Sequence, residues 1–407
     1  MYNYIDLFAG AGGLSEGFIG QGFLPIAHLE MDENACNTIR TRIAYHYLKK
    51  TNRINIYNEY LLGNISREIL YSNIPIDILN SVININIDNK TLPFIFDKID
   101  KNISKNRVDV IVGGPPCQAY SLIGRARDPN RMQYDNRNHL FKLYSDFLKK
   151  YKPKYFVFEN VKGLLSAKNY FRQIIELFQS SEIGYSVSWK ILNASDYGVL
   201  QARERVILIG KKGKDNFDFP KLDKIINNWT IKKDILSDLP ALNPGEGKMV
   251  MSYTKNPTTY LLKYEIRNGV DFVTQHISRP HNTRDLEIYK LAITKWLEER
   301  KRLQYSELPA KLKTHKNQNS FMDRFKVVDP YSFSHTMVAH IAKDGHYYIY
   351  PDLKQVRSIS VREAARIQSF PDNYFFEGGR TAAFKQIGNA VPPLMAKEIA
   401  NAIKQLL

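Results

Sequence analysis

The sequence predicts an α/β protein, a doubly wound Rossmann-like sheet with a second, smaller and irregular domain. Three observations carry that reading. The chain starts with an apolar strand, a glycine-rich turn and a helix, the order that opens a nucleotide-handling α/β sheet. Short apolar strands then alternate with helical stretches. The pattern changes after Gly210, and the sequence reads as helical again after about residue 357.

Tyr4-Ile5-Asp6-Leu7-Phe8 reads as the first strand, Ala9-Gly10-Ala11-Gly12-Gly13 as the turn, and Leu14 to Gly20 as the opening of a helix. Phe23 to Glu30 is a second strand ending on a carboxylate. Residues 43–106 are rich in Asn, Ile and Lys, lack clear periodicity, and read as an insertion between core strands. Strands resume at 108–112, 155–159, 185–192 and 205–209, the last two expected as an antiparallel pair at one sheet edge. Residues 212–356 carry loops such as Asn243-Pro244-Gly245-Glu246-Gly247, scattered aromatics and a helical stretch from 283 to 303. The domains expected are therefore 1–211, 212–356, and a segment 357–407 that completes the first. Its final helix, 393–406, follows Pro392 and should pack back on the first domain.

The 407 residues are 43% hydrophobic and 24% charged, ordinary for a globular protein. No apolar stretch approaches membrane-spanning length, and the N-terminus lacks the basic start and cleavage site of a signal peptide. A cytoplasmic protein with reduced thiols is expected. Cys36 and Cys117 are the only cysteines, which argues against a disulfide framework or a cysteine-rich metal site, and no metal is expected. The net charge of +17 suits a polyanionic partner.

Five short stretches carry chemistry. Gly113-Gly114-Pro115-Pro116-Cys117-Gln118 places a lone thiol on a stiff loop just past a strand end, where ligand sites of parallel sheets lie. A small buried hydrophobe is the plainer reading of such a cysteine. The glycine turn lets a ligand approach the backbone, and Glu30 suits ribose hydroxyls. The spacing departs from the dinucleotide fingerprint Gly-x-Gly-x-x-Gly. Glu159-Asn160-Val161 puts a carboxylate at a strand end, as a solvated cap or, in a cleft, as a proton-sharing group. Gln201, Arg203 and Arg205 share one face of an extended segment, apt for phosphate or carboxylate, or for guarding an exposed edge. Gln386-Ile387-Gly388-Asn389-Ala390-Val391-Pro392-Pro393 is a turn before a helix.

In this order, and with Arg362-Glu363-Ala364-Ala365-Arg366-Ile367-Gln368-Ser369-Phe370-Pro371 added, these stretches resemble the C5-cytosine-specific DNA methyltransferase family of bacterial restriction–modification type. The resemblance covers residues 1 to about 210 and resumes at about 357. It implies methyl transfer from S-adenosylmethionine to C5 of a cytosine flipped out of double-stranded DNA, leaving S-adenosylhomocysteine. Cys117 would add to C6, Glu159 would bind the N3 edge, and Arg203 would hold O2. Gln201 and Arg205 would shape the site, and Asn160 and Pro116 would position loop and base. Phe8 would stack on the adenine, Ala9, Gly10, Gly12 and Gly13 would line the methionine portion, and Glu30 would hold the ribose. Met31 would touch the adenine, and Asn389 and Val391 would close the site. The family often has Gly-Asp-Ile at the end of its third strand, its aspartate meeting the adenine amino group. Gly63-Asn64-Ile65 is the nearest match, which assigns that contact to Asn64.

By the same resemblance, Ser121 to Asn138, with Arg125, Arg127, Arg131 and Arg137, would close over the DNA as a mobile loop. Residues 212–356 would be the target-recognition domain, with Lys311, Lys313, His315, Lys316, Asn317, Gln318 and Asn319 as candidate base readers. A monomer acting on DNA, functionally paired with a cognate restriction endonuclease, is expected. A tRNA-directed branch of the family carries a Cys-Phe-Thr segment that is absent here. A silent DNA-binding relative is opposed by the intact Cys117, Glu159 and Arg203. A nicotinamide oxidoreductase has no use for the cysteine loop.

Overall fold

Seven strands form one mixed sheet: β1 (Asn3–Leu7), β2 (Leu24–Glu30), β3 (Val82–Asn84), β4 (Val110–Gly113), β5 (Tyr155–Val161), β6 (Tyr185–Asn193) and, after the two-residue β7 (Gln201–Ala202), β8 (Glu204–Lys212). Their order is β3-β2-β1-β4-β5-β8-β6. The computed structural model describes residues 1–103, 107–116, 140–225, 228–314 and 321–407. β1 to β5 run parallel, with Leu7 opposite both Leu29 and Gly113, Glu30 opposite Asn84, and Gly113 opposite Phe158. Their carboxyl ends therefore lie side by side. β8 and β6 form the expected antiparallel pair at the edge, and β8 also runs antiparallel to β5.

Both faces of the sheet are covered, as parallel strands require. On one face Ile5, Leu7, Ile111 and Phe156 pack with Ile95 and Ile99 of α6 (Leu92–Ile103) and with α7 (Leu140–Tyr151) and α8 (Lys168–Gln179). On the other, Tyr4, Val112 and Val157 meet α1 (Gly13–Gly20) and the final helix α12 (Pro393–Leu406). The return of the chain end onto the first helix depends on Gly17, where a Cβ would lie 2.4 Å from the Ala396 carbonyl carbon.

Segment 43–106 departs from its reading as an aperiodic insertion. It holds β3, a core strand, and α6, which covers the sheet. It also holds further helices: the end of α2 (Glu33–Lys50), then α3 (Ile54–Leu62), α4 (Arg67–Ser72) and α5 (Ile76–Leu79). Helices of four to nine residues are too short to show a 3.6-residue period, and a three-residue strand too short to show alternation.

The middle region has the antiparallel pair β9 (Gly247–Ser252) and β10 (Phe272–Ile277) and the helix α9 (Thr283–Glu299). α9 stops four residues before the expected end because Arg300 turns left-handed at φ 58°. Two cores occur here. Ile231, Tyr260, Val273 and Met337 share a cluster with Ile367, Phe370 and Ile387 of α10 (Val361–Ile367), the following turn and α11 (Arg380–Asn389). Ile288, Ile293, Leu312 and Phe325 form a smaller one. The core thus runs continuously across residue 357. Among the described residues no helix is long and apolar enough to cross a membrane.

Candidate active site at the strand ends

Past Leu7 the chain turns sharply. Phe8 is left-handed at φ 58°, and Gly10 and Gly12 follow at 56° and 77°, a run that glycine tolerates best. The Ala9 N–H donates to the Leu29 carbonyl at 3.0 Å, and that of Gly12 to the Ala9 carbonyl at 2.9 Å. Glu30 joins this turn to its own strand end. Its Oε2 accepts from the Gly10 N–H at 2.9 Å, and its Oε1 from the N–H groups of Met31 and Asp32 at 2.9 and 2.8 Å. Each carboxylate oxygen keeps further acceptor capacity. A Cβ on Gly10 would meet nothing within 4 Å, so space lies open beside Glu30. Met31 is 65% exposed next to it.

Gly13 serves a different purpose, because a Cβ there would lie 2.3 Å from the Val391 carbonyl oxygen. Val391 thus closes on the turn, while Asn389 is exposed at the end of α11. Tyr374 supports the turn from beneath: its buried hydroxyl donates to the Ala11 carbonyl. Open space, a multiply bonded carboxylate and a glycine backbone fit a ribose-bearing cofactor with a charged tail.

Asn64 does not join this group. It is exposed at the C-terminal end of α3, and its Nδ2 donates to Glu59 Oε2 at 2.8 Å. The residue at the end of the third strand is Asn84, opposite Glu30. Its Nδ2 lies 3.2 Å from the carbonyls of Glu30 and Met31 and from Cys36 Sγ. Cys36 is buried, which pushes its thiol up to about 11. Sequence matching missed Asn84 because Asn-Ile recurs in this segment and β3 is short. The Ile85 that follows Asn84 was the available signal.

Beneath the turn Asp6 and His28 face each other across β1 and β2. Burial first, and Glu30 second, hold the Asp6 carboxyl well above the usual range. Burial pushes His28 down to about 3.

On the other side of β1, Gly113 and Gly114 carry the chain out of β4. A Cβ on Gly113 would strike the Leu7 carbonyl oxygen at 2.3 Å, and one on Gly114 would strike Glu159 Oε2 at 2.4 Å. The Glu159 carboxylate therefore lies directly against the backbone that leads into Pro115-Pro116. Asn160, also buried, donates from Nδ2 to the Pro115 carbonyl at 3.3 Å, fixing that loop to β5. Cys117 itself lies outside the described residues, as do Ser121, Arg125, Arg127, Arg131 and Arg137.

Glu159 pairs with Arg205, to which the family resemblance assigned only a role in shaping the site. Arg205 Nε lies 2.7 Å from Glu159 Oε1, with both side chains largely buried. The antiparallel register sets this pair: Val161 is opposite Arg205, so Glu159 is its diagonal neighbour on the same face. Gln201, Arg203 and Arg205 are indeed all buried while Ala202 and Glu204 are exposed. Arg203, however, donates to main-chain carbonyls of Met337 and Gly388. In the middle region Lys313 Nζ donates to the Ser306 carbonyl at 2.8 Å and Lys311 pairs with Glu287 at 3.1 Å. His315, Lys316, Asn317, Gln318 and Asn319 lie outside the described residues.

The family model described as C-5 cytosine-specific DNA methylase matches residues 2–79 and 68–405. The chain is 43% identical to the type II methyltransferase M.Bpa9945I of Bacillus paralicheniformis, over 99% of this chain and 98% of that protein. It is 34% identical to the type II methyltransferase M.DdeI of Desulfomicrobium norvegicum, over 98% and 88%. Among solved structures, a candidate DNA modification methyltransferase encoded within an E. coli prophage superposes with a TM-score of 0.64 at 22% identity, covering 100% of this chain and 99% of that one. The Entamoeba histolytica methyltransferase EhMeth superposes at 0.55 and 15% identity, covering 100% and 99%. These two likenesses are of fold.

Proposed function

The chain belongs to the C-5 cytosine-specific DNA methylase family and is a DNA (cytosine-5)-methyltransferase; we propose that it is the sequence-specific modification enzyme of a type II restriction–modification system, acting in the bacterial cytoplasm as a monomer. The relatives named type II support the system. The observation that carries the chemistry is the Glu159–Arg205 pair against Gly114, where the backbone leads through two prolines to Cys117.

The Cys117 thiolate adds to C6 of a flipped-out cytosine, and the electron pair of the C5–C6 bond moves to C5 with charge delocalised toward N3 and O2. Glu159 meets the N3 edge and shares a proton there. Arg205, adjacent to it, takes the O2 contact that sequence reading gave to Arg203. Together they stabilise the charge that develops in the ring. Bound S-adenosylmethionine supplies the electrophilic methyl group that C5 takes. Loss of the C5 proton then returns an electron pair to the C5–C6 bond and expels Cys117. Asn160 and Pro116 hold the thiol's loop. Phe8, the 9–13 turn, Glu30, Met31 and Val391 would hold the cofactor, with Asn84 in place of Asn64 at the adenine. Asn389 would close the site with Val391. Residues 212–356 would read the DNA sequence, with Lys313, Lys316 and Asn317 among the contacts. Ser121, Arg125, Arg127 and Arg137 would meet the backbone near the target.

Bisulfite sequencing of plasmid DNA from cells expressing the protein tests this. Cytosines protected at one recurring short sequence are expected, and none with Cys117→Ser. Protection retained in that variant would sink the covalent mechanism. No protection by a wild-type protein that binds S-adenosylhomocysteine would redirect the assay to tRNA.

A further inference from the structure

Two residues before Arg205 lies a knot of polar side chains that the reaction does not use. Gln201 and Arg203, on one extended segment, and Gln368, in the C-terminal segment, are each 0% exposed. Gln201 Oε1 accepts from the Met337 N–H at 2.7 Å, and Arg203 donates to the Met337 carbonyl, so both main-chain groups of one residue are clamped. Gln201 Nε2 donates to Gln368 Oε1 at 2.8 Å, and Gln368 Nε2 donates to the Ile387 carbonyl at 2.7 Å. Arg203 also donates to the Gly388 carbonyl at 3.1 Å. A short parallel pairing, Ser334 with Gln201 and His335 with Ala202, holds the same segments in register.

Burying a guanidinium is unfavourable unless its donors are met. Apolar side chains would fill this volume more cheaply. What the buried donors add is fixed main-chain positions in three segments. Two of these segments lead to a site. Beyond Arg203, Arg205 pairs with Glu159. Beyond Gly388, the Val391 carbonyl presses on Gly13 of the cofactor turn. Gly388 itself is in backbone contact with the Met337 segment, because a Cβ there would lie 2.4 Å from the Val338 carbonyl carbon. Close-packed contacts pinned by main-chain hydrogen bonds transmit displacements rather than absorb them.

We infer that Gln201, Arg203 and Gln368 are positioning residues that couple the cofactor turn to the base-binding pair, so that cofactor and DNA strengthen each other's binding through this knot. The inference rests on the reading of the strand ends as cofactor cradle and base site. Linkage makes the coupling measurable from either ligand.

The test is calorimetric titration with S-adenosylhomocysteine, with and without a saturating duplex that carries the sequence the wild type methylates. Wild type is expected to bind about fivefold or more tightly with the duplex. In Gln368→Met and Arg203→Lys that factor should fall below about twofold, with affinity in the absence of DNA changed less than about threefold. Reversible unfolding would raise that factor, because a saturating duplex draws the protein into its folded form, so loss of stability does not mimic a fall in it. Should Arg203→Lys fail to fold, Gln368→Met decides alone. Variants that keep the wild-type factor, or a wild type without one, overturn the coupling. A wild type that binds no S-adenosylhomocysteine at all strikes the cradle reading beneath it.

Discussion

On the β1–β2 side of the strand ends, Glu30 is held by three main-chain N–H groups, whereas on the β5–β8 side Glu159 faces a guanidinium. The first half of the site is made of backbone: left-handed turns, a glycine where the Val391 carbonyl presses in, open space above Gly10. The second is made of charged side chains from neighbouring strands. On the function proposed above, the difference follows from the tasks. A cradle for a bound cofactor needs shape and fixed dipoles, which main-chain amides provide at little entropic cost. A site that meets a charge forming during reaction needs groups that can share a proton or neutralise an oxygen.

That contrast predicts separable failures. Glu159→Gln keeps the shape of the base site but cannot share its proton with N3. Single-turnover methyl transfer should fall by about 10²- to 10³-fold, the usual loss for a group that stabilises developing charge. S-adenosylhomocysteine affinity, read by calorimetry, should stay within about twofold of wild type. Glu30→Gln should do the reverse, raising the cofactor KM with kcat largely kept. Equal loss of kcat in both variants would erase the distinction between the halves.

The cradle half was the more legible in the sequence. Glycine spacing is a local signal, and the positive φ at Gly10 and Gly12 is what such spacing reports. A carboxylate at the end of the second strand is also local. The base half depends on which strands become neighbours. Alternation put Gln201, Arg203 and Arg205 on one face, which burial bears out, but two guanidiniums on one face look alike in a sequence. Only the pairing of Val161 with Arg205 settles which one reaches Glu159. The third strand was hidden for another reason: three residues, Val82 to Asn84, are fewer than one cycle of any useful pattern.

The cradle half also carries a titratable group under its floor. His28 lies fully buried, bonded from Nε2 to Ser15 Oγ at 2.7 Å, and burial pushes it down to about 3. Its folded pKa lies below the value of 6.5 for the free group. The unfolded chain therefore binds a proton that the folded protein refuses, and stability falls as pH drops from about 6.5 toward 3. Each pH unit below about 6 should cost about 1.4 kcal/mol through this residue. His281 and His335, both pushed down to about 4 by burial, add slopes of the same sign in the middle region. Urea denaturation at pH 7 and pH 5 should show His28→Gln losing less stability than wild type over that interval. An identical loss in both proteins would mean that His28 is already charged in the fold.

The smallest expected effect separates two asparagines. Asn84 ends β3 directly opposite Glu30, and its amide is tied to the Glu30 and Met31 carbonyls. Asn64 sits on an exposed helix end, bonded to Glu59. Asn84→Ala should remove one neutral hydrogen-bonding group from the rim of the cradle, worth about 1 kcal/mol, and so raise the cofactor KM roughly fivefold without lowering kcat. Asn64→Ala should leave KM and kcat where they are, because a surface amide exchanged for solvent costs little. The reverse ranking would return the adenine contact to Asn64 and would require α3, rather than the third strand, to form the wall of the cradle. A change in kcat with Asn84→Ala would mean that the two halves of the site are less separable than their materials suggest, and that the knot at Arg203 carries more than binding energy between them.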